Sequence, residues 1–67
     1  MILKFYNSIR GKAETYMCHD LTIEKTNHFD MHYYTTEEGL VFAVNSYFGA
    51  VFDTHDNYVG SILEVKA

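Results

Sequence analysis

The sequence predicts a mostly-β protein, a small antiparallel meander of five or six strands that forms a barrel or a sandwich. First, polar and apolar residues alternate strictly over residues 28–34, which is the period of a strand with two different faces. Second, residues 40–44 form a continuous apolar run, which is typical of a central strand covered on both faces. Third, short polar segments at residues 36–39 and 53–57 separate the apolar runs in the manner of tight turns.

The first third of the chain contains one clear strand and one ambiguous segment. Residues 2–6 are predicted to be a strand, and Gly11 with its polar neighbours marks the turn that follows. In residues 13–20, apolar side chains recur at helical spacing, yet Tyr16 and Cys18 also suit a strand. The alternative to the all-β fold is therefore α+β, with one short helix near residues 12–20. From Leu21 the alternation favours a strand again.

The rest of the chain is predicted to be strands joined by tight turns. The predicted strands are residues 28–35, 40–44, 47–52 and 58–66, and the turns are residues 25–27, 36–39 and 53–57. In the last strand, Val59, Leu63 and Val65 are expected to share the apolar face. Gly49 and Gly60 lie inside strand-like runs, where glycine often marks a bulge or a close approach of two backbones.

Length and cysteine content limit the class of protein. A chain of 67 residues is predicted to be a single small domain, residues 1–67, which buries only about 60% of the surface exposed by its unfolded form. Cys18 is the only cysteine, so there is no disulfide within the chain, in keeping with a reducing compartment. No apolar run approaches the roughly 20 residues of a transmembrane helix, and the N-terminus is too short and interrupted for a signal peptide. We expect a soluble, cytoplasmic protein.

Charge is unevenly distributed. Residues 1–27 carry four basic and three acidic side chains, a net charge of +1, whereas residues 28–67 carry one basic and six acidic side chains, a net charge of −5. An acidic half repels phosphates, which argues against nucleic-acid binding. It favours encounter with a basic surface instead.

No catalytic signature is present. Cys18 and His19 are neighbours, so on a strand they face opposite sides and do not form a nucleophile–base pair. The carboxylates of Glu37 and Glu38 stand on a turn, where adjacent side chains point apart. Neither a nucleophile-elbow motif nor a phosphate-binding glycine loop occurs. We therefore expect a protein that is not an enzyme and carries no cofactor.

The histidine-rich strand invites a metal interpretation, which strand geometry opposes. His28, Asp30, His32 and Tyr34 share one face of the strand, and Phe29, Met31 and Tyr33 share the other. Positions four apart on a strand are about 13 Å apart, whereas a histidine–zinc bond is about 2.1 Å, so His28 and His32 do not reach one ion. A site would need a further ligand from a neighbouring strand, such as His19, His55 or Asp53. No metal site is predicted, and a metal- or small-ligand-binding module on the His28/Asp30/His32 face is one alternative.

The leading functional hypothesis is a small non-enzymatic protein that binds another protein. The six tyrosines exceed what so small a core hides easily, and tyrosine is favoured at protein interfaces. Compact acidic proteins of this size include phage-encoded inhibitors of host or defence machinery, such as anti-CRISPR proteins, an analogy of size and charge alone. The partner would be a host or defence protein with a basic surface. The residues predicted to contact it are Asp30, Tyr33, Tyr34, Glu37, Glu38, Tyr47, Asp53, Asp56 and Tyr58.

A structural role is the other alternative. The apolar runs at residues 40–44 and 47–52 suggest edge strands that pair between copies in a homodimer or larger oligomer, completing a core that is small for one chain. Neither membrane nor nucleic-acid binding is expected in this case.

Overall fold

The strands of this chain close into a barrel. The computed structural model describes all residues from Met1 to Ala67 and contains six strands: β1 (Ile2–Asn7), β2 (Lys12–Lys25), β3 (Asp30–Thr36), β4 (Val41–Asn45), β5 (Ala50–Phe52) and β6 (Tyr58–Lys66). Each strand pairs antiparallel with the next, and β6 pairs with β1 to close the sheet. The mostly-β prediction is confirmed, and the α+β alternative is wrong because the chain contains no helix. It follows that no helix of this protein is long and apolar enough to cross a membrane.

The ambiguous segment belongs to β2, and a bulge explains its helix-like spacing. β2 pairs with β1 up to Met17 and with β3 from Cys18, with a shift of register between Cys18 and Asp20. A one-residue bulge moves the following side chains to the other face. Tyr16 and Cys18 therefore contact the core before the bulge, and Leu21 contacts it afterwards. This gap of three residues imitates the spacing of a helix.

The core lies inside the barrel and is built from the inner faces of all six strands. Phe5 stacks on Tyr16 with ring centroids 5.8 Å apart, and Phe42 lies tilted against both rings at 5.1 and 4.8 Å. From Phe42 to Asn45 every residue of β4 is buried, which confirms the central strand covered on both faces. The buried apolar cluster consists of Leu3, Phe5, Cys18, Tyr34, Phe42, Val44, Val51 and Val59.

The face of β3 that carries Tyr34, His32 and Asp30 is the inner face of the barrel. Tyr34 is only 4% exposed and lies in the core, opposite Leu21 on β2 and Phe42 on β4. Tyr33 and Met31 consequently face outward and are half-buried. The polar side chains of His32 and Asp30 on this inner face are only half-buried.

The predicted strand at residues 47–52 is only half present. The side-chain oxygen of Asn45 accepts the backbone N–H groups of Tyr47 and Phe48, each at 2.9 Å, and this asparagine turn ends β4. Gly49 then adopts a φ of 73°, so β5 begins at Ala50. Tyr47 and Phe48 are accordingly exposed in a turn rather than paired in a strand.

The last strand has its predicted bounds but a different inner face. A register shift against β1 falls at Leu63, which is exposed, and Ile62 packs against the core in its place. The close backbone approach predicted at Gly60 is confirmed. A Cβ atom there would lie 1.7 Å from the carbonyl oxygen of Tyr6 on β1.

Alternating strand directions place the turns at two ends of the barrel. The turns at residues 8–11, 37–40 and 53–57 lie at one end, called here the mouth end. The turns at residues 26–29 and 46–49 lie with both chain termini at the opposite end, called here the terminal end.

Candidate protein-binding surface

One rung of the β-ladder carries an aromatic row across the outside of the barrel. Tyr33 on β3 is opposite Ala43 on β4, Ala43 is opposite Phe52 on β5, and Phe52 is opposite Tyr58 on β6. Residues directly opposite each other point to the same face of a sheet, and Ala43 alternates with the core residues Phe42 and Val44. All four side chains therefore face outward. We call this row the outer aromatic face.

The rings of the outer aromatic face are arranged around a small central residue. The side chains of Phe52 and Tyr58 meet edge to face, with centroids 6.0 Å apart and planes at 71°, an arrangement that aromatic pairs favour. Ala43 is only 8% exposed because its cross-strand neighbours Tyr33 and Phe52 flank it. Tyr58 is 51% exposed, so half of its ring is free to contact another molecule.

One carboxylate borders this face at Tyr33, and a second acts on the same phenol through its charge. The Tyr33 hydroxyl donates a hydrogen bond to Oε1 of Glu24 on β2, at 3.4 Å. Partial burial, the Glu24 carboxylate and the Asp56 carboxylate together raise the pKa of the Tyr33 phenol above its usual value. The phenol is therefore influenced by the negative charge of two acids, one on β2 and one in the turn between β5 and β6.

Asp53 holds the turn that carries Asp56. Its carboxylate accepts the backbone N–H groups of Asn57 and His55, each at 2.9 Å, and these bonds lower the pKa of Asp53. Asp56 adopts a φ of 63°, which a non-glycine residue tolerates mainly when it is Asp, Asn or His. Asp53 thus stabilises the loop that carries Asp56.

The other predicted contact residues lie elsewhere. Glu37 and Glu38 stand exposed on the mouth-end turn between β3 and β4. Asp30 exchanges hydrogen bonds with Ser46 at the terminal end, where Tyr47 is 74% exposed. Tyr34 as a contact residue is a wrong prediction, because its ring is enclosed by the core.

Three residues of this surface were missed by the sequence interpretation: Ala43, Phe52 and Glu24. Phe52 and Tyr58 immediately flank the predicted turn at residues 53–57, so hairpin geometry alone would have paired them. No comparable sequence signal links Glu24 to Tyr33, since the link depends on the register that follows the β2 bulge.

A cleft opens at the mouth end, with a volume of about 330 Å³. Its polar groups already bond to each other: the Glu14 carboxylate accepts from the Asn7 amide, from Arg10 Nη1 at 3.1 Å and weakly from the Tyr16 hydroxyl at 3.5 Å. The Cys18 thiol lies in the core and does not line this cleft, and burial raises its pKa. The Glu14 carboxylate at the mouth end therefore stabilises the turn between β1 and β2.

The histidine row does not assemble a metal site. His32 lies between Ile23 and Val44 on the inner face, and His28 belongs to the turn before β3, beside Phe29, Tyr47 and Phe48. Nowhere in the chain do three or more His, Cys, Asp or Glu side chains meet in a group suited to a metal ion.

The fold and this surface define an up-and-down antiparallel β-barrel of six strands that carries an aromatic outer face bordered by acids. No family model, curated protein or solved structure matches the chain.

Proposed function

We propose that this protein is a non-enzymatic protein-binding module that uses the outer aromatic face, with Glu24 and Asp56 directing the face to a basic partner. The observation that carries the proposal is the rung Tyr33–Ala43–Phe52–Tyr58, which leaves three aromatic rings on the outside of a barrel. Tyr and Phe are enriched at protein interfaces, and an apolar patch rimmed by polar groups marks such sites.

Electrostatics supports a basic partner. Residues 28–67 have a net charge of −5, and most of the outer aromatic face belongs to this half of the chain. Complementary charge accelerates encounter, while buried aromatic anchors slow dissociation. Charges at the rim therefore select the partner, and the rings hold it.

Occlusion is the mode of action we propose. A barrel of this size has little room for a catalytic pocket, but it can cover a functional basic surface of a larger protein. The phage-encoded inhibitors of host or defence machinery share its size and acidity, and inhibition of that kind is the finer form of this proposal.

The homo-oligomer alternative receives no support from the strands on which it was based. β4 pairs with both β3 and β5, and β5 pairs with both β4 and β6, so neither has a free edge for another copy.

The test is a pull-down from lysate of the native host, with tagged protein as bait and mass spectrometry as the readout. We expect one stoichiometric partner that is lost at high salt and lost from Tyr58→Ala, but retained by Tyr47→Ala. Tyr47 is the matched control because it is more exposed than Tyr58 and lies at the terminal end, away from the face. Loss with Tyr47→Ala and retention with Tyr58→Ala would refute the assignment of this face.

A further inference from the structure

β2 has an unpaired edge along its second half. β1 pairs with β2 only as far as Met17, and the backbone of Met1 then exchanges hydrogen bonds with Cys18 at 2.8 and 3.0 Å. From residue 19 to residue 25, β2 pairs with β3 on one side and with no strand on the other. We call residues 19–25 the β2 edge.

The alternation of an antiparallel ladder shows which backbone groups are free. The backbone N–H of Thr36 donates to the carbonyl oxygen of Leu40, just before β4, at 2.8 Å. Because the direction of the backbone groups alternates along a strand, the even-numbered residues of β3 form their backbone hydrogen bonds with β4. Tyr33, at an odd position, therefore bonds to β2, where it is opposite Thr22. Thr22 and its alternate neighbours Asp20 and Glu24 use their backbone groups on β3.

The intervening residues direct their backbone groups to the open side. Leu21, Ile23 and Lys25 alternate with the residues bonded to β3, so their N–H and C=O groups point along the β2 edge. A row of such groups is a template for an additional strand.

The side chains of the β2 edge define what that strand must look like. Leu21 is half-buried and Ile23 is 48% exposed, and both lie on the inner-facing side. Asp20, Thr22 and Glu24 lie on the outer side and are exposed. An added strand would thus meet Leu21 and Ile23, followed by Lys25 at the end of the strand, on one face. On the other face it would meet the two carboxylates on either side of Thr22.

We propose that the β2 edge takes up an extended segment of a partner protein, in which apolar residues alternate with Lys or Arg. Main-chain hydrogen bonds to Leu21 and Ile23 would hold the segment, and its basic side chains would pair with Asp20 and Glu24. This inference rests on the free backbone groups and does not require the outer aromatic face to bind.

A second copy of this chain is a poorer occupant. A two-fold pairing centred on Thr22, which uses the whole edge, places Asp20 opposite Glu24 of the other copy. Like charges directly opposite each other are destabilising in a sheet, whereas a basic strand meets both acids favourably.

The experiment is a titration of isotope-labelled protein, followed by amide NMR and hydrogen exchange, with synthetic peptides of about ten residues. The probes are an alternating valine–lysine peptide, the same peptide with N-methylated backbone amides, and an alternating valine–glutamate peptide. We expect the first to slow exchange of the Leu21, Ile23 and Lys25 amides. We expect the glutamate peptide to bind about tenfold more weakly and the methylated peptide to give no protection.

Variants separate backbone pairing from side-chain packing. Ile23→Pro removes an outward N–H without removing a bond to β3 and should abolish protection, whereas Ile23→Ala keeps the N–H and should retain it. Should Ile23→Pro lose the native amide spectrum, the double variant D20K/E24K serves instead, and its preference should change to the glutamate peptide. Tyr58→Ala should leave peptide binding unchanged. Peptide binding at the β2 edge and partner binding by the outer aromatic face are therefore tested independently, and either proposal can fail without the other.

Three results would overturn the inference. One is equal affinity for the lysine and glutamate peptides, and another is protection that maps away from the β2 edge. The third is concentration-dependent protection of the β2 edge without any peptide, which would identify a second copy as its occupant.

Discussion

Gly60→Ala tests whether the contact between β1 and β6 closes this barrel. A Cβ atom on residue 60 would lie 1.7 Å from the carbonyl oxygen of Tyr6 and 2.8 Å from its carbonyl carbon. Both are backbone atoms, so no side-chain rotation relieves the clash. β1 and β6 must separate, which also breaks the bond from the Ser8 N–H to the Val59 oxygen, now 2.8 Å long.

Gly39→Ala supplies the matched reference for the size of this effect. Gly39 has a φ of 93°, but no heavy atom lies within 4 Å of the position of its Cβ, so alanine there adds only backbone strain of about 1–2 kcal/mol. At Gly60, overpacking adds about 1–3 kcal/mol and the lost hydrogen bond about 1 kcal/mol. We therefore expect Gly60→Ala to lower the free energy of unfolding by about 2–4 kcal/mol more than Gly39→Ala.

Urea unfolding of both variants, followed by circular dichroism, measures this difference directly. Roughly 0.05–0.15 kcal/mol per residue gives this chain a total stability of about 3–10 kcal/mol, so the loss caused by Gly60→Ala should be a large share of it. In thermal unfolding, the Tm values of the two variants should differ by roughly 10–30 °C. Equal stability of the two variants would show that β6 moves away from β1 at little cost and that closure of the barrel does not depend on this contact.

Three further predictions concern single side chains. Tyr34→Ala should lower the free energy of unfolding by about 3–5 kcal/mol in urea titrations, because it empties a core position; a change below about 1 kcal/mol would place the ring outside the core. The pKa of Asp53 is lower in the folded than in the unfolded protein, so its carboxylate stabilises the fold above the unfolded pKa of about 3.9, and this stabilisation is lost as pH falls through the folded pKa. The difference in free energy of unfolding between wild type and Asp53→Asn should therefore shrink between pH 5 and about pH 2. A difference independent of pH would contradict the proposed turn bonds. Cys18 should react with a thiol reagent only in denaturant, since burial protects the thiol and raises its pKa, and fast labelling of the native protein would show that this part of β2 opens readily.

Local sequence patterns predicted most of the fold because turns and the alternation of strands depend on residues that are close in sequence. The turn before β4 follows from Gly39, and the start of β6 follows from the polar segment that ends at Asn57. The failures fall where one residue changes the register. The bulge after Cys18 depends on pairing with β3, a strand that is distant in sequence. The asparagine turn is local, because the Asn45 side chain accepts the N–H groups of Tyr47 and Phe48, but those two apolar residues continue the strand-like pattern and hide it.

The candidate surface was less predictable because it belongs to the ladder rather than to any one strand. Tyr33 and Tyr58 were identified as surface tyrosines, but their membership of one row depends on Ala43 and Phe52 in between. Alternation along β3 separated its two faces without showing which one meets the core, and an aromatic row on the outside breaks the usual rule of apolar inside and polar outside.

That departure from the rule is the main reason to assign the outer aromatic face to binding rather than to folding. Tyr58 is half exposed, and its ring packs edge to face with Phe52, so Tyr58→Ala should lower the free energy of unfolding by only about 1 kcal/mol. An aromatic anchor at an interface contributes about 2 kcal/mol or more, which corresponds to a loss of roughly 30-fold in affinity. A small change in urea unfolding together with a large change in partner affinity would mean that this ring is maintained for a partner. The reverse, a loss of about 3 kcal/mol of stability with affinity unchanged, would make the row a second, external core of the barrel.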